Sequence, residues 1–306
     1  MDTMNVPLSL RRLELTVNRR LDGLLRGQYA GLLPGAGTEV AGSREYRPGE
    51  DEVRRMDWAV TARTGLPHVR ETVAERELCT WVLVDATPSM DFGTAAMEKR
   101  ELAVAAVGAV GFLTAGSGNR LGALVVSTAG AHRFPARTGR AHLLGLLRLL
   151  TARPRTEPGA APPLADALTD LDRAVRRRGL VVVVSDFLDP APTGDPSPWE
   201  RALRRLALRH QVLAVEITDP RELALPDVGL LTVVDPETGR RREVSTRNRT
   251  LRARFAAAAA EQRDGVRKAL ARAGVAHLAL RTDRDWVADI VRHVYTQRRL
   301  ALGGRR

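Results

Sequence analysis

The sequence predicts an α/β fold, an open and mostly parallel sheet with helices on both faces. Three observations carry this expectation. The runs LCTWVLVD (78 to 85) and LVVVVSD (180 to 186) are continuously apolar and β-branched and each ends in an aspartate, the pattern of central parallel strands buried on both sides. From residue 78 onward, strand-like runs alternate with segments of helical length and periodicity. The 306 residues, 44% hydrophobic and 27% charged, provide for a sizeable core and exclude disordered and low-complexity classes.

From Leu8 to Arg26, Leu10, Leu13, Val17, Leu21, Leu24 and Leu25 recur at helical spacing before Gly27, so an amphipathic helix is expected. Residues 31 to 77 are rich in Gly, Pro and alternating charge and read as turns and short strands lying against the rest of the chain. Residues 1 to 77 are therefore taken as an N-terminal extension and 78 to 300 as the α/β domain. Within the domain the expected order is strand 78–85, helix 97–115, strand 121–127, a short edge strand near His132 to Pro135, helices 140–151 and 163–178, and strand 180–186. Helix 198–209 and strands 212–218 and 229–235 follow, with PETGR turning the last into the return strand RREVS. A helix over 249–273, a strand over 275–280 and a helix over 284–300 close the chain.

In open parallel sheets a ligand site belongs at the carboxyl ends of the strands, where strand order reverses. Both aspartate-terminated strands are candidates. Asp85-Ala86-Thr87-Pro88-Ser89 places a carboxylate and two hydroxyls at alternate positions, so all three can point to one side. Ser185-Asp186 ends the second strand. Such an oxygen set suits a hard divalent ion that keeps several waters. The competing role for the same groups is capping of free backbone N–H groups at strand-to-helix turns.

DATPS resembles the DxSxS motif of von Willebrand factor A-like domains. Ahead of it, the segment from Arg44 through Tyr46, Pro48, Gly49 and Arg54 or Arg55 to Asp57 and Trp58 resembles the R-x-Y-x-P-G-D-x-x-R-x-x-D-W signature of the bacterial family known as domain of unknown function fifty-eight, with Glu50 at its usual aspartate. The resemblance runs from about residue 8 to about residue 240. It implies a doubly wound A-like domain and a metal-ion-dependent adhesion site in which Asp85, Thr87, Ser89 and Asp186 hold Mg²⁺, or alternatively Mn²⁺, while a partner's carboxylate completes the coordination. It also implies a MoxR-type AAA+ ATPase as partner, an unknown client protein, and a chaperone-like role in assembly or maturation. One departure stands out: the threonine usual before the third helix is replaced by Pro162 or Pro163, which have no hydroxyl. The Arg44 to Trp58 segment reads as a structural clamp, with Tyr46 and Trp58 packed on the domain and Arg47, Arg54 and Arg55 paired with Glu50, Asp51 and Asp57. A partner-docking surface is the alternative.

Other chemistry is weakly represented. Cys79, the single cysteine, lies in an apolar run and reads as a reduced core thiol. The six histidines have no ligand spacing, and P-loop, G-x-S-x-G and strand-linked G-x-G-x-x-G motifs are missing. The expectation is a non-enzymatic protein; a hydrolase built on Asp85 and Asp186 is a minor alternative. The net charge of +12 is confined to residues 240 to 306, which hold 18 basic and six acidic side chains, whereas residues 1 to 239 hold 30 of each. Of the 48 basic residues only Lys99 and Lys268 are lysine. A solvated face is the commonest explanation of the arginine-rich helix over 249–273, an acidic protein partner comes second and nucleic acid third, since no aromatics interleave the arginines. No signal peptide is evident, and the longest mostly apolar stretch, Leu102 to Ala115, falls short of the roughly 20 residues a span needs, so a cytoplasmic location without membrane insertion is expected.

Overall fold

A computed structural model describes residues 13, 15–16, 43–47, 53, 56–70, 78–114, 118–155, 157–188 and 197–303. Its centre is a six-stranded sheet. β3 (Cys79–Asp85), β4 (Arg120–Ser127), β6 (Leu180–Ser185), β7 (Gln211–Thr218) and β10 (Ala276–Arg281) run parallel, and β5 (Gly130–Thr138) is an antiparallel edge. The spatial order is β10-β7-β6-β3-β4-β5. Before it, β1 (Ser43–Glu45) pairs antiparallel with β2 (His68–Arg70), and after β7 a separate hairpin forms from β8 (Leu230–Val234) and β9 (Arg241–Ser245).

Strand alternation divides the core in two. Val82, Val84, Val182, Val184, Leu213 and Val215 face one side, where α2 (Lys99–Thr114), α3 (Arg140–Ala152) and α8 (Trp286–Gly303) cover them. Their neighbours Trp81, Leu83, Val181, Val183, Val212 and Ala214 face α4 (Leu164–Ala174), α5 (Pro198–Ala207) and α7 (Arg249–Arg272). Val82, Leu83 and Val181 to Val184 have no exposed surface, which is why these runs lack any polar alternation. At about 1.5–3 kcal/mol per buried aliphatic side chain, this pattern fixes strand register as well as stability. Gly179 leads into β6 so close to β3 that a Cβ there would stand 2.1 Å from the Cys79 carbonyl oxygen.

Within the α/β domain the expected elements are present with ends shifted by a few residues, the largest change being the helix expected over 163–178, which ends at Ala174. Two helices were not expected: α1 (Trp58–Thr64), in a stretch expected to hold only turns and short strands, and the short α6 (Pro220–Leu223). Cys79 is partly buried and packs against the second core half. Of the expected first helix, residues 13, 15 and 16 are helical and the remainder lies outside the described residues. Leu13 packs on the first core half, where Gly108 of α2 leaves room: a Cβ at Gly108 would come within 2.9 Å of the Leu13 side chain. Among the described residues no helix is long and apolar enough to cross a membrane.

Candidate functional site

Sheet order reverses between β3 and β6: the chain leaves β3 for β4 on one side and later returns to place β6 on the other. A cleft of about 160 Å³ opens at this point, at the carboxyl ends of the two strands. Asp85, Thr87, Ser89 and Asp186 all line it. The parallel register aligns Val84 with Val184, which brings Asp85 beside Ser185.

The four oxygen-bearing residues form one hydrogen-bonded cluster. Thr87 donates to Asp85 Oδ1 from its amide at 3.0 Å and its hydroxyl at 2.7 Å, and the Thr87 and Ser89 hydroxyls lie 3.1 Å apart. Asp85 Oδ2 accepts from Ser185 Oγ at 2.6 Å. Asp186 Oδ1 accepts from the Leu188 amide at 3.0 Å, and Oδ2 accepts from Lys99 Nζ at 2.7 Å. Capping therefore explains only part of the cluster. Both carboxylates bond an amide two residues ahead, but Thr87, which precedes the short turn Pro88–Asp91, makes no side-chain cap.

Backbone strain marks the second strand end. Phe187 has φ of 53°, an uncommon left-handed conformation for a bulky side chain. Its amide bonds Ser185 Oγ at 3.0 Å, and its ring is buried against Trp199 with centroids 5.5 Å apart. Just before this kink, Asp186 lines the cleft and bonds Lys99.

Burial, followed by the negative charge of Asp186, pushes the Asp85 carboxyl up to about 6. For Asp186, burial acts in the same direction but is outweighed by the Lys99 ammonium and by hydrogen bonds from Lys99, Leu188 and Ser89, which hold it below the ordinary range. The two carboxyls thus differ in environment. Asp186 is bonded to the Lys99 ammonium, whereas Asp85 accepts from the Thr87 amide and from hydroxyls and feels the Arg153 guanidinium only through space.

Among the described residues no group of three or more His, Cys, Asp and Glu side chains could hold a metal ion. The cleft instead offers two carboxylates and the hydroxyls of Thr87, Ser89 and Ser185, with Pro162 and Pro163 on the wall where a further hydroxyl was expected. This all-oxygen set fits a hard cation held by few protein ligands and several waters.

Sequence reasoning missed the groups behind this cluster. Lys99, Glu222 and Arg263 are separated in sequence and meet only through the fold, and the bond of Ser185, named above beside Asp186, to Asp85 follows from the β3–β6 register. Lys99 Nζ also donates to Glu222 Oε1 at 2.5 Å; Arg263 donates to the Asp186 carbonyl at 2.7 Å and to Glu216 Oε1 at 2.9 Å; His277 bonds Glu216 Oε2 at 2.8 Å. The rarity of lysine in the chain is the one signal that could have singled out Lys99.

The Arg44 to Trp58 segment does not line the cleft. Arg44 lies in β1, and the Tyr46 amide donates to the Pro67 carbonyl at 2.8 Å. Asp57 caps α1 (Trp58–Thr64), accepting from the amides of Ala59 and Val60, both at 3.2 Å. Trp58 corrects an expectation: it is 65% exposed, because it begins a short helix without buried residues, and it is not packed as a clamp requires. Pro48, Gly49, Glu50, Asp51, Arg54 and Arg55 lie outside the described residues.

The arginine-rich helix is mostly solvated as expected, with Arg249, Arg254, Arg267, Lys268 and Arg272 exposed, although several of its arginines are also paired. Arg263 points inward to Glu216 and Glu222, Arg272 makes two bonds to Glu200 at 2.9 and 2.7 Å, and Arg252 pairs with Asp227 at 3.0 Å. Arg267 and Lys268 both pair with Asp264. The solvated face expected of this helix is therefore largely present, with Arg263 as its inward-facing exception.

The reversed strand order, the antiparallel edge strand and the oxygen cluster at the switch point together define an A-like α/β domain. The model of the family described as "Protein of unknown function DUF58" matches residues 42–265, and the chain belongs to that family. It is 52% identical over 303 residues to the uncharacterized protein Rv1480 of Mycobacterium tuberculosis, covering 99% of this chain and 93% of that protein. An uncharacterized protein of Mycobacterium avium is 47% identical over 173 residues, 56% of this chain and 98% of that protein. Among solved structures, the conserved hypothetical protein BatB from Bacteroides thetaiotaomicron is similar at 14% identity with a TM-score of 0.45, covering 72% of this chain and 99% of that one.

Proposed function

We propose that the protein is a non-enzymatic protein-interaction module that engages an acidic group of its partner at the β3–β6 cleft. The observation that carries this reading is the convergence of Asp85, Thr87, Ser89 and Asp186 on one cleft at the switch point of the sheet. In this reading Asp85 and Asp186 set the negative potential, and the Thr87 and Ser89 hydroxyls are the neutral donors facing a hydrated divalent cation, Mg²⁺ or Mn²⁺. When bound, that cation supplies an open coordination position for a carboxylate. By family resemblance the partner is a MoxR-type AAA+ ATPase, acting with this protein in chaperone-like assembly or maturation. The ion pairs of Arg252, Arg263 and Arg272 with Asp227, Glu216 and Glu200, and the lack of interleaved aromatics, add no observation in favour of the nucleic-acid alternative.

Thermal unfolding with and without Mn²⁺ tests the site. A ligand at 100 times its dissociation constant adds about 2.7 kcal/mol to the native state, and a rise in the unfolding midpoint toward that size is expected for the native sequence and not for Asp85→Ala. Equal rises in both proteins would place the cation elsewhere.

A further inference from the structure

Lys99 has no exposed surface. It is the first residue of α2, where the positive end of the helix dipole disfavours a cation, so the position is unfavourable for an ammonium unless carboxylates compensate it. Two do so, Asp186 Oδ2 at 2.7 Å and Glu222 Oε1 at 2.5 Å. The surroundings of Glu222 are themselves ordered: its other oxygen accepts from the Asp219 amide at 2.9 Å and lies 3.6 Å from Arg263. An ammonium is a compact point charge, whereas a guanidinium is a wider planar fork. In a chain that uses arginine for 46 of its 48 basic residues, a lysine at this enclosed point matches the space and the two converging carboxylates.

The consequence falls on the cleft. Asp186 directs one oxygen to Lys99 and the other to the Leu188 amide, so of the two cleft carboxylates only Asp85 lacks a bonded cation among the contacts described above. We propose that Lys99 is a built-in counter-cation for Asp186, which keeps the two carboxylates assembled without a metal and holds the cleft's affinity for a divalent cation low. The inference rests on the cation-binding reading above. Cation affinity in oxygen sites follows the charge count of the ligands, and Lys99 lowers that count by one. A weakly held ion suits a site that is completed only when a partner adds its own carboxylate.

Mn²⁺ titration of the full chain, followed by calorimetry and by thermal unfolding, tests this with Lys99→Met and Lys99→Gln beside the native sequence. Both variants should unfold at lower temperature in EDTA, regain stability as Mn²⁺ is added, and bind Mn²⁺ about tenfold more tightly than the native protein. Equal Mn²⁺ affinity in all three proteins overturns the role of Lys99 and leaves the cation site standing. No Mn²⁺ binding in any of them removes the cation reading, and the inference with it. Should Lys99→Met fail to fold in EDTA, refolding in Mn²⁺ is the readout: recovery supports the proposal, and failure of both variants to recover overturns it.

Discussion

Asp85→Asn is expected to be more stable than the native sequence at pH 7.5 and about equal to it at pH 4. The folded carboxyl titrates near 6, above its ordinary value of 3.8, because it is buried and faces Asp186. Between these values the native state binds more protons than the unfolded chain, so native stability falls as pH rises through the window. The full gap corresponds to about 3 kcal/mol. Part is lost in the variant, since an amide nitrogen replaces one acceptor of the Thr87 and Ser185 bonds, although the Ser185 hydroxyl can turn and accept instead. A gain of about 1–2 kcal/mol at pH 7.5 is therefore expected in urea unfolding, with the slope between pH 4 and 6 flattened. Function at the cleft would thus be maintained at the expense of stability, as ionised groups in binding sites often are.

Asp219→Ala should produce the opposite result, a loss of about 3–5 kcal/mol. Asp219 is fully buried and joins three parts of the fold. It accepts from the Thr94 amide and hydroxyl at 2.9 and 2.6 Å, from the Thr282 hydroxyl at 2.8 Å and from the Arg221 amide at 2.9 Å, closing a capping box with Glu222. Truncation leaves several of these donors buried and unpaired at about 1–3 kcal/mol each, softened by local relaxation. Burial alone would raise this carboxyl, but the bonds from Thr94, Arg221 and Thr282 outweigh it and hold it below the ordinary range. Its stabilisation is therefore complete above the unfolded value near 3.9 and declines as pH falls through the lower folded value. The difference between native and variant urea midpoints should shrink correspondingly in acid.

The two central strands were legible because a strand buried on both faces leaves an unbroken apolar run, and the aspartates at the carboxyl ends of β3 and β6 marked the switch point of the sheet. The D-x-T-x-S spacing likewise located Asp85, Thr87 and Ser89, since local geometry alone places alternate residues on one side. The partners of Lys99, Ser185 and Arg263 were not legible in this way. Their roles arise from the register of β3 against β6 and from the packing of α2 and α7 across the sheet, neither of which has a local sequence period. At α7 a count of arginines does not distinguish those facing water, which are the majority, from Arg263, which turns in to Glu216. Trp58 misled. An aromatic beside an aspartate reads as a packing anchor, yet Asp57 is a helix cap and Trp58 is the first exposed residue of that helix.

Association with the ATPase tests the central claim most directly. The chain and a MoxR-type AAA+ ATPase from the same organism would be mixed in Mg²⁺ with ADP, with ATP or with a non-hydrolysable analogue, and complex formation followed by size-exclusion chromatography. The account predicts a complex in at least one nucleotide state that is lost in EDTA and weakened about tenfold or more by Ser89→Ala, a change at the cleft that removes one hydroxyl and little packing. A complex indifferent to EDTA and to Ser89→Ala, or no complex in any nucleotide state, would contradict it.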